Sequence, residues 1–398
     1  MNILSERINY LAESETLAMS RISGELKRQG IDVINLSIGE PDFNTPDFIK
    51  ESAKKALDDN WTHYTPVSGY YDLREAVCAK FKRDNNLDYK PEEIVVSTGA
   101  KQAIANVVLS LINPGDEILV PVPYWVSYRE IVKLASGKPV YIPTTIETDF
   151  KITPQALEAA ITPKTKLFIF SSPCNPSGSV YTQQELNALA KVFEKYNNIY
   201  IISDEIYEFI NFEGKHSSIA LNQSIKDRVI IINGLSKGFA MTGWRLGYMA
   251  ANKIIADACN KMQGQFTSGT NSICQRAAIT ALLAEPEKCT TEMVKAFRER
   301  RDLLLELLKD IPGFKCNLPT GAFYIFPDVS YYYGKSDGET KINNGEELCK
   351  YLLYKANVAL VAGSAFGDDR CIRFSYATSK EQLIKAASRI KNTLAKLK

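Results

Sequence analysis

The chain has 398 residues, 45% of them hydrophobic and 24% charged, and its 48 Lys and Arg against 46 Asp and Glu give a formal net charge of +2. That length exceeds the usual single core, so two domains, or one large domain with a smaller satellite, are expected. The near-neutral balance gives no chain-wide basic field for nucleic acid or an anionic membrane, which leaves small molecules as the expected partners.

The opening residues Met1 to Arg7 lack the apolar core of a secretory signal, and no apolar run approaches membrane-spanning length, so a cytoplasmic location is expected. The 8 cysteines are scattered, with no C-x-x-C pair and no histidine nearby. They read as reduced core thiols rather than a disulfide framework, and no metal site is expected. His63 and His216 are the only histidines, and neither has a nucleophile and acid set around it. An enzyme of this composition needs lysine or a cofactor for its proton transfers.

In chain order, Ile34 to Asp42 is expected to cross back to a second domain. From residue 94 onward, apolar β-rich runs alternate with amphipathic helical stretches, as in a mostly parallel sheet covered by helices. The strands are Ile94–Val96, Ile118–Val120, Leu167–Phe170, Ile199–Ile202 and Val229–Ile232, and the helices include Gln102–Leu111, Gln183–Tyr196 and Ile254–Met262. Four of the strands run straight into polar sequence: Ser97-Thr98-Gly99-Ala100-Lys101, Ser171 to Gly178, Ser203-Asp204-Glu205-Ile206-Tyr207, and Asn233 to Phe239. Ligands gather at the carboxyl ends of such strands, so all four are expected at one edge. A long charged helix from about Glu292 to Lys309 carries the domain boundary. Beyond it Gly321–Phe326, Val358–Val361 and Cys371–Tyr376 read as strands of a smaller α+β domain.

Each polar segment has a chemical reading beside a plain one. Gly99-Ala100-Lys101 offers free backbone N–H groups to a phosphate, or is simply a turn. Asn175 lies in a Pro-bounded turn and Tyr207 can be a core aromatic, yet together they can bond a phenolate oxygen. Asp204 follows a buried run, where a carboxylate needs a partner, and a cationic ring nitrogen suits it as well as a helix-capping role does. Lys237, just past a strand, loses hydration and with it part of its basicity, which frees a neutral amine for an aldehyde; Lys237 and Arg245 read equally as surface charges. Arg373, in a β-like run, can grip a carboxylate through two parallel hydrogen bonds or form an interdomain salt bridge.

In the order Gly-Ala-Lys (99 to 101), Tyr-Trp (124 and 125), Ser-Pro-Cys-Asn-Pro-Ser-Gly (172 to 178), Ser-Asp-Glu-Ile-Tyr (203 to 207), Ser-Lys-Gly-Phe-Ala-Met-Thr-Gly-Trp-Arg (236 to 245) and Arg-Phe-Ser-Tyr-Ala (373 to 377), the chain resembles the class I, fold-type I pyridoxal-phosphate aminotransferases, bacterial aspartate branch, from about Ser14 to its end. The resemblance implies an α/β large domain with a mostly parallel seven-stranded sheet over 48–291. The small domain would come from both chain ends, an N-terminal arm over 1–47 and a linking helix with the C-terminal part over 292–398. It implies pyridoxal 5′-phosphate on Lys237 as Schiff-base lysine and proton shuttle. Asp204 would meet the ring nitrogen, Asn175 and Tyr207 the ring oxygen, and Trp125 the ring face. Ser236, Arg245, Gly99, Ala100 and Lys101 would surround the phosphate end, joined by Tyr64 from the neighbouring subunit of a homodimer. Arg373 and Gly39 would bind the α-carboxylate of the substrate, beside Trp125 and Asn175. Lys101, Ser14 and Thr16 would serve its distal end. The expected reaction is transfer of the amino group of L-aspartate to 2-oxoglutarate by a ping-pong route, with aromatic or aliphatic amino acids or prephenate as the alternative. Two departures stand out. Cys174 replaces a usual Asn, and Ala12 stands where prephenate-using members carry a basic residue.

Overall fold

Buried runs rich in Ile, Val and Phe build a seven-stranded sheet in the computed structural model, which describes residues 3–398. Met1 and Asn2, the start of the expected arm, lie outside the described residues. Across the sheet the order is Ile94–Ser97, Gly247–Ala250, Val229–Gly234, Tyr200–Asp204, Thr165–Ser171, Glu117–Pro121 and Lys138–Ile142. Gly247–Ala250 runs antiparallel to both of its neighbours, and the other six strands share one direction.

Both faces of the central strands are buried, so successive side chains enter different cores. Phe168, Phe170, Ile201 and Ile231 pack on one face with Leu73, Val77, Leu186 and Phe193. Leu167, Ile169, Ile202, Ile230 and Ile232 pack on the other with Ile104, Val107, Val108 and Cys259. The covering helices start where the sequence supplies caps. Thr182 accepts from the Glu185 N–H at 3.2 Å while the Glu185 carboxylate accepts from the Thr182 N–H at 2.8 Å, which opens helix Gln183–Phe193.

A separate core gathers Met293, Phe297, Leu304, Ile325, Leu352, Phe374 and Ile390 with Ile34 and Leu36 from near the chain start. Ile34–Asn35 pairs in parallel with Val358–Ala359, and Val361–Ala362, Ile372–Ser375 and Tyr324–Ile325 form a small antiparallel sheet. Helix Glu287–Lys309 joins the two cores: Cys289 leans on the first, and Met293, Phe297, Leu304 and Leu308 are buried in the second. Among the described residues no helix is long and apolar enough to cross a membrane.

Candidate active site

Because Ile94–Ser97, Thr165–Ser171, Tyr200–Asp204 and Val229–Gly234 point the same way, the four polar segments after them meet at one edge of the sheet. They surround a cavity of about 330 Å³. Lys237, Asp204, Tyr207, Asn175, Ser236 and Arg245 line it from the sheet side, Ala100 and Lys101 from a helix start, and Trp125 from the loop before helix Ser127–Leu134. Arg373 enters from the second core, and Gly39, Ser14 and Thr16 from the N-terminal segment.

Lys237 follows the last buried strand, and its Nζ donates to the Gly39 carbonyl at 2.6 Å. Burial pushes this amine down to about 8, with Glu40 and Asp204 opposing and Arg373 and Arg245 adding to the effect. At pH 7 about a tenth of it is therefore the neutral nucleophile, far more than for an ordinary lysine. Gly39 is required for that approach, since a Cβ there would overlap the Tyr324 hydroxyl.

Asp204 ends its strand only 4% exposed, and burial pushes its carboxyl up to about 6 against the Tyr128 and Ile206 donors. The Tyr128 hydroxyl donates to Asp204 Oδ2 at 2.6 Å, and the Ile206 N–H to Oδ1 at 3.3 Å. No ion pair compensates it among the described residues, so a cation brought into the cavity beside it would restore the charge. Tyr207 shares a 2.8 Å hydrogen bond with Tyr324, and burial holds its phenol well above its ordinary range, which keeps it a neutral donor.

At the other end the chain bends back on itself. Gly99 has φ +84° and caps helix Ala100–Leu111, whose first N–H groups have no side-chain cap. Arg245 sits in the left-handed region at φ +55° and braces its Nη1 on the Thr242 carbonyl at 2.9 Å. A Cβ on Gly99 would overlap the Arg245 guanidinium, and one on Gly247 would overlap the Ala100 N–H. The two glycines thus let a guanidinium approach Gly99 and the strand at Gly247 approach the N-terminus of helix Ala100–Leu111, which lines the cavity with Ser236, donors that suit an anion.

Arg373 is fully enclosed. Its Nη1 donates to Asn175 Oδ1 at 2.9 Å and its Nη2 to the Ser37 carbonyl at 2.6 Å, while Nε has no partner among the described residues. The uncompensated charge and the idle donor make it a receptor for a carboxylate. Lys101 Nζ stands 5.1 Å from the Trp125 ring centre, and burial, followed by the Arg245 charge, lowers its pKa. The Trp125 ring meets Tyr128 edge-on at 5.5 Å.

The residues singled out from sequence therefore come together with two exceptions. Gly99 stands just behind the wall, and Tyr64 is 101% exposed, away from the cavity of its own chain. Sequence reasoning missed Tyr128, Tyr324 and Glu40. Only Tyr128 left a signal, as part of the aromatic run Tyr124-Trp125-Val126-Ser127-Tyr128 after a strand.

Residues 31–390 match the family model for class I and II aminotransferases. The chain is 49% identical over 400 residues to a bifunctional aspartate aminotransferase and glutamate/aspartate-prephenate aminotransferase of Petunia hybrida, spanning 99% of this chain and 83% of that protein. It is 45% identical to an aspartate/prephenate aminotransferase of Nitrosomonas europaea, over 98% of this chain and 100% of that one. Among solved structures it superposes on the aspartate aminotransferase of Rhizobium meliloti with a TM-score of 0.95 at 38% identity, covering 99% of each chain. The aspartate aminotransferase of Thermus thermophilus with maleate gives a TM-score of 0.93 at 39% identity, over 99% of this chain and 100% of that one.

Proposed function

The chain belongs to the class I and II aminotransferases, and on that premise we propose that it moves the amino group of L-aspartate to 2-oxoglutarate, giving oxaloacetate and L-glutamate, with pyridoxal 5′-phosphate carried on Lys237. One juxtaposition carries this reading. A lysine amine lowered to about 8, an unpaired buried carboxylate and a guanidinium with an idle donor face a single cavity.

Bound there, pyridoxal phosphate supplies an aldehyde carbon that condenses with amines and a ring that spreads the electrons left when the substrate Cα–H bond breaks. Asp204 would pair with the ring nitrogen and keep it protonated. The Tyr207 hydroxyl and the Asn175 amide would donate to the ring oxygen, and Trp125 would cover the ring face. The N–H of Ala100, Ser236 and Arg245 would take the phosphate, with Gly99 giving them room. Lys237 Nζ would carry the aldehyde group and, once free, would act as the acid and base that moves the substrate Cα proton, an acid–base contribution of about 10²–10⁴-fold. The same steps in reverse serve the second oxo acid.

Arg373 takes the α-carboxylate through parallel hydrogen bonds beside Gly39, and Lys101 with Ser14 and Thr16 faces the distal carboxylate. Maleate, with which the Thermus thermophilus relative was solved, is itself a dicarboxylate. Tyr64 is proposed to reach the phosphate of the other subunit in a homodimer, which accounts for its full exposure here.

Prephenate is a second reading, favoured by the names of several relatives and by a chamber of about 230 Å³ that shares Ser14, Lys101, Val126 and Ser127 with the first cavity and adds Arg129. A larger side chain would extend past Lys101 into that space.

The test is the near-visible absorbance of the purified protein with pyridoxal phosphate, before and after L-aspartate. A band that aspartate shifts to shorter wavelength supports the proposal. A band that responds only to aromatic or aliphatic amino acids overturns the aspartate specificity, and the absence of any band overturns the cofactor.

A further inference from the structure

Behind the cavity, and lining no part of it, lies a sealed ionic cluster. Lys80 and Glu208 form an ion pair with both side chains buried, Lys80 Nζ donates to Asn85 Oδ1 at 2.7 Å, and Asn85 Nδ2 donates to Glu208 Oε2 at 3.0 Å. Helix Tyr71–Lys80 widens into a π turn over Phe81–Asn85, and that wider coil returns Asn85 to the Lys80 head group.

The neighbours of this cluster belong to both halves of the site. Glu208 directly follows Tyr207. The Lys80 ammonium stands 5.2 Å from the Phe209 ring centre, and Phe209 presses on the residue after Lys237, since a Cβ on Gly238 would lie 2.6 Å from its ring. Phe209 also meets Phe239 edge-on at 5.4 Å. Buried ion pairs add little net stability compared with apolar packing, but removing one partner leaves an uncompensated charge, so the geometry around an intact pair is sharply defined.

We propose that Lys80, Glu208 and Asn85 are positioning residues that clamp the Tyr207–Phe209 turn against the Lys237–Phe239 turn and so fix the spacing between the Tyr207 hydroxyl and the Lys237 amine. In the present arrangement that amine lies 5.8 Å from the Tyr207 ring centre. The proposal rests on the aminotransferase reading for the role of Lys237.

The double variant Lys80→Met/Glu208→Gln removes both charges and keeps the net charge. In its holoenzyme kcat is expected to fall about tenfold or more while KM stays within about twofold, because misplacement of a reacting group acts on the chemical step. In the cofactor-free protein, trace acetylation followed by peptide mass spectrometry reads how the reactivity of Lys237 depends on pH. Its midpoint is expected to move from about 8 toward the ordinary lysine value, with labelling of exposed Lys253 unchanged. A folded double variant in which both kcat and the Lys237 midpoint match wild type overturns the clamp. Where the double variant does not fold, Phe209→Leu keeps the ion pair and removes the ring between it and Gly238. It carries the same expectation, and an unaltered Lys237 midpoint there overturns the proposal equally. A wild-type protein that develops no absorbance band with pyridoxal phosphate overturns the aminotransferase reading instead, and the acetylation profile still judges the clamp.

Discussion

Asp204 is a carboxylate held at a place that suits a cofactor and not the empty protein. Its carboxyl titrates at about 6 in the folded chain against an ordinary 3.8, so the folded state binds more protons than the unfolded one between those values. Stability therefore falls as pH rises through that window, by ~3 kcal/mol once the pH is above it. Asp204→Asn keeps an acceptor for Tyr128 and never ionises. Melting curves of the cofactor-free variant should show a gain of up to ~3 kcal/mol at pH 7 that vanishes as the pH is lowered to about 4. Turnover should drop at least ~10²-fold for want of a charge on the ring nitrogen. A variant no more stable than wild type at pH 7 would mean that the carboxylate is already compensated. Asp204, Lys237 and Arg373 each had a plain reading in the sequence, and they became legible because several such charges follow β runs that share one sheet edge and because the motifs together resemble one family. Tyr128 and Tyr324 were not, because an aromatic near a strand end is ordinary core, and only the fold places their hydroxyls against Asp204 and Tyr207.

The elements around the proposed phosphate site depend on absent side chains. Gly247 opens the antiparallel strand Gly247–Ala250 directly against the start of helix Ala100–Leu111, where a Cβ would overlap the Ala100 N–H. Gly247→Ala must push the helix start outward, at about 1–3 kcal/mol for overpacking. Fluorescence titration should show pyridoxal phosphate bound at least ~10-fold more weakly, since the displaced N–H groups are its proposed anchors. Unchanged affinity would remove the helix start from the phosphate site. That same strand escaped sequence reading, as did Lys138–Ile142. Gly-Tyr-Met-Ala carries only a weak β signal, and its antiparallel place comes from pairing with Val229–Gly234 and Ile94–Ser97. Lys138–Ile142 is a half-exposed edge with Lys and Pro in it, which reads as loop until Glu117–Pro121 is seen beside it. The five strands of this sheet that were legible carry runs of Ile, Val, Leu and Phe; Gly247–Ala250 is just as buried but lacks such a run.

At the scale of the whole molecule, the proposal that the exposed Tyr64 reaches a neighbouring subunit would make the site a property of two chains. Lys237→Ala and Tyr64→Ala, each nearly inactive as a homodimer, should regain roughly a quarter of wild-type activity when coexpressed in equal amounts, because half the dimers are hybrids with one whole site of two. The affinity-purified hybrid, with one whole site of two, should show about half of wild-type activity, and no recovery would confine the site to one chain. Within a single chain, Ser37 and Gly39, which receive Arg373 and Lys237, follow directly on the strand Ile34–Asn35 that pairs with Val358–Ala359, more than 300 positions downstream. On a ribosome adding about 5–20 residues per second, those partners emerge roughly 15–65 s apart. The nascent chain carries its lysine through about the last third of that interval with nothing to orient it. Reactivity toward the cell's aldehydes and amino acids thus switches on as one of the last events of synthesis.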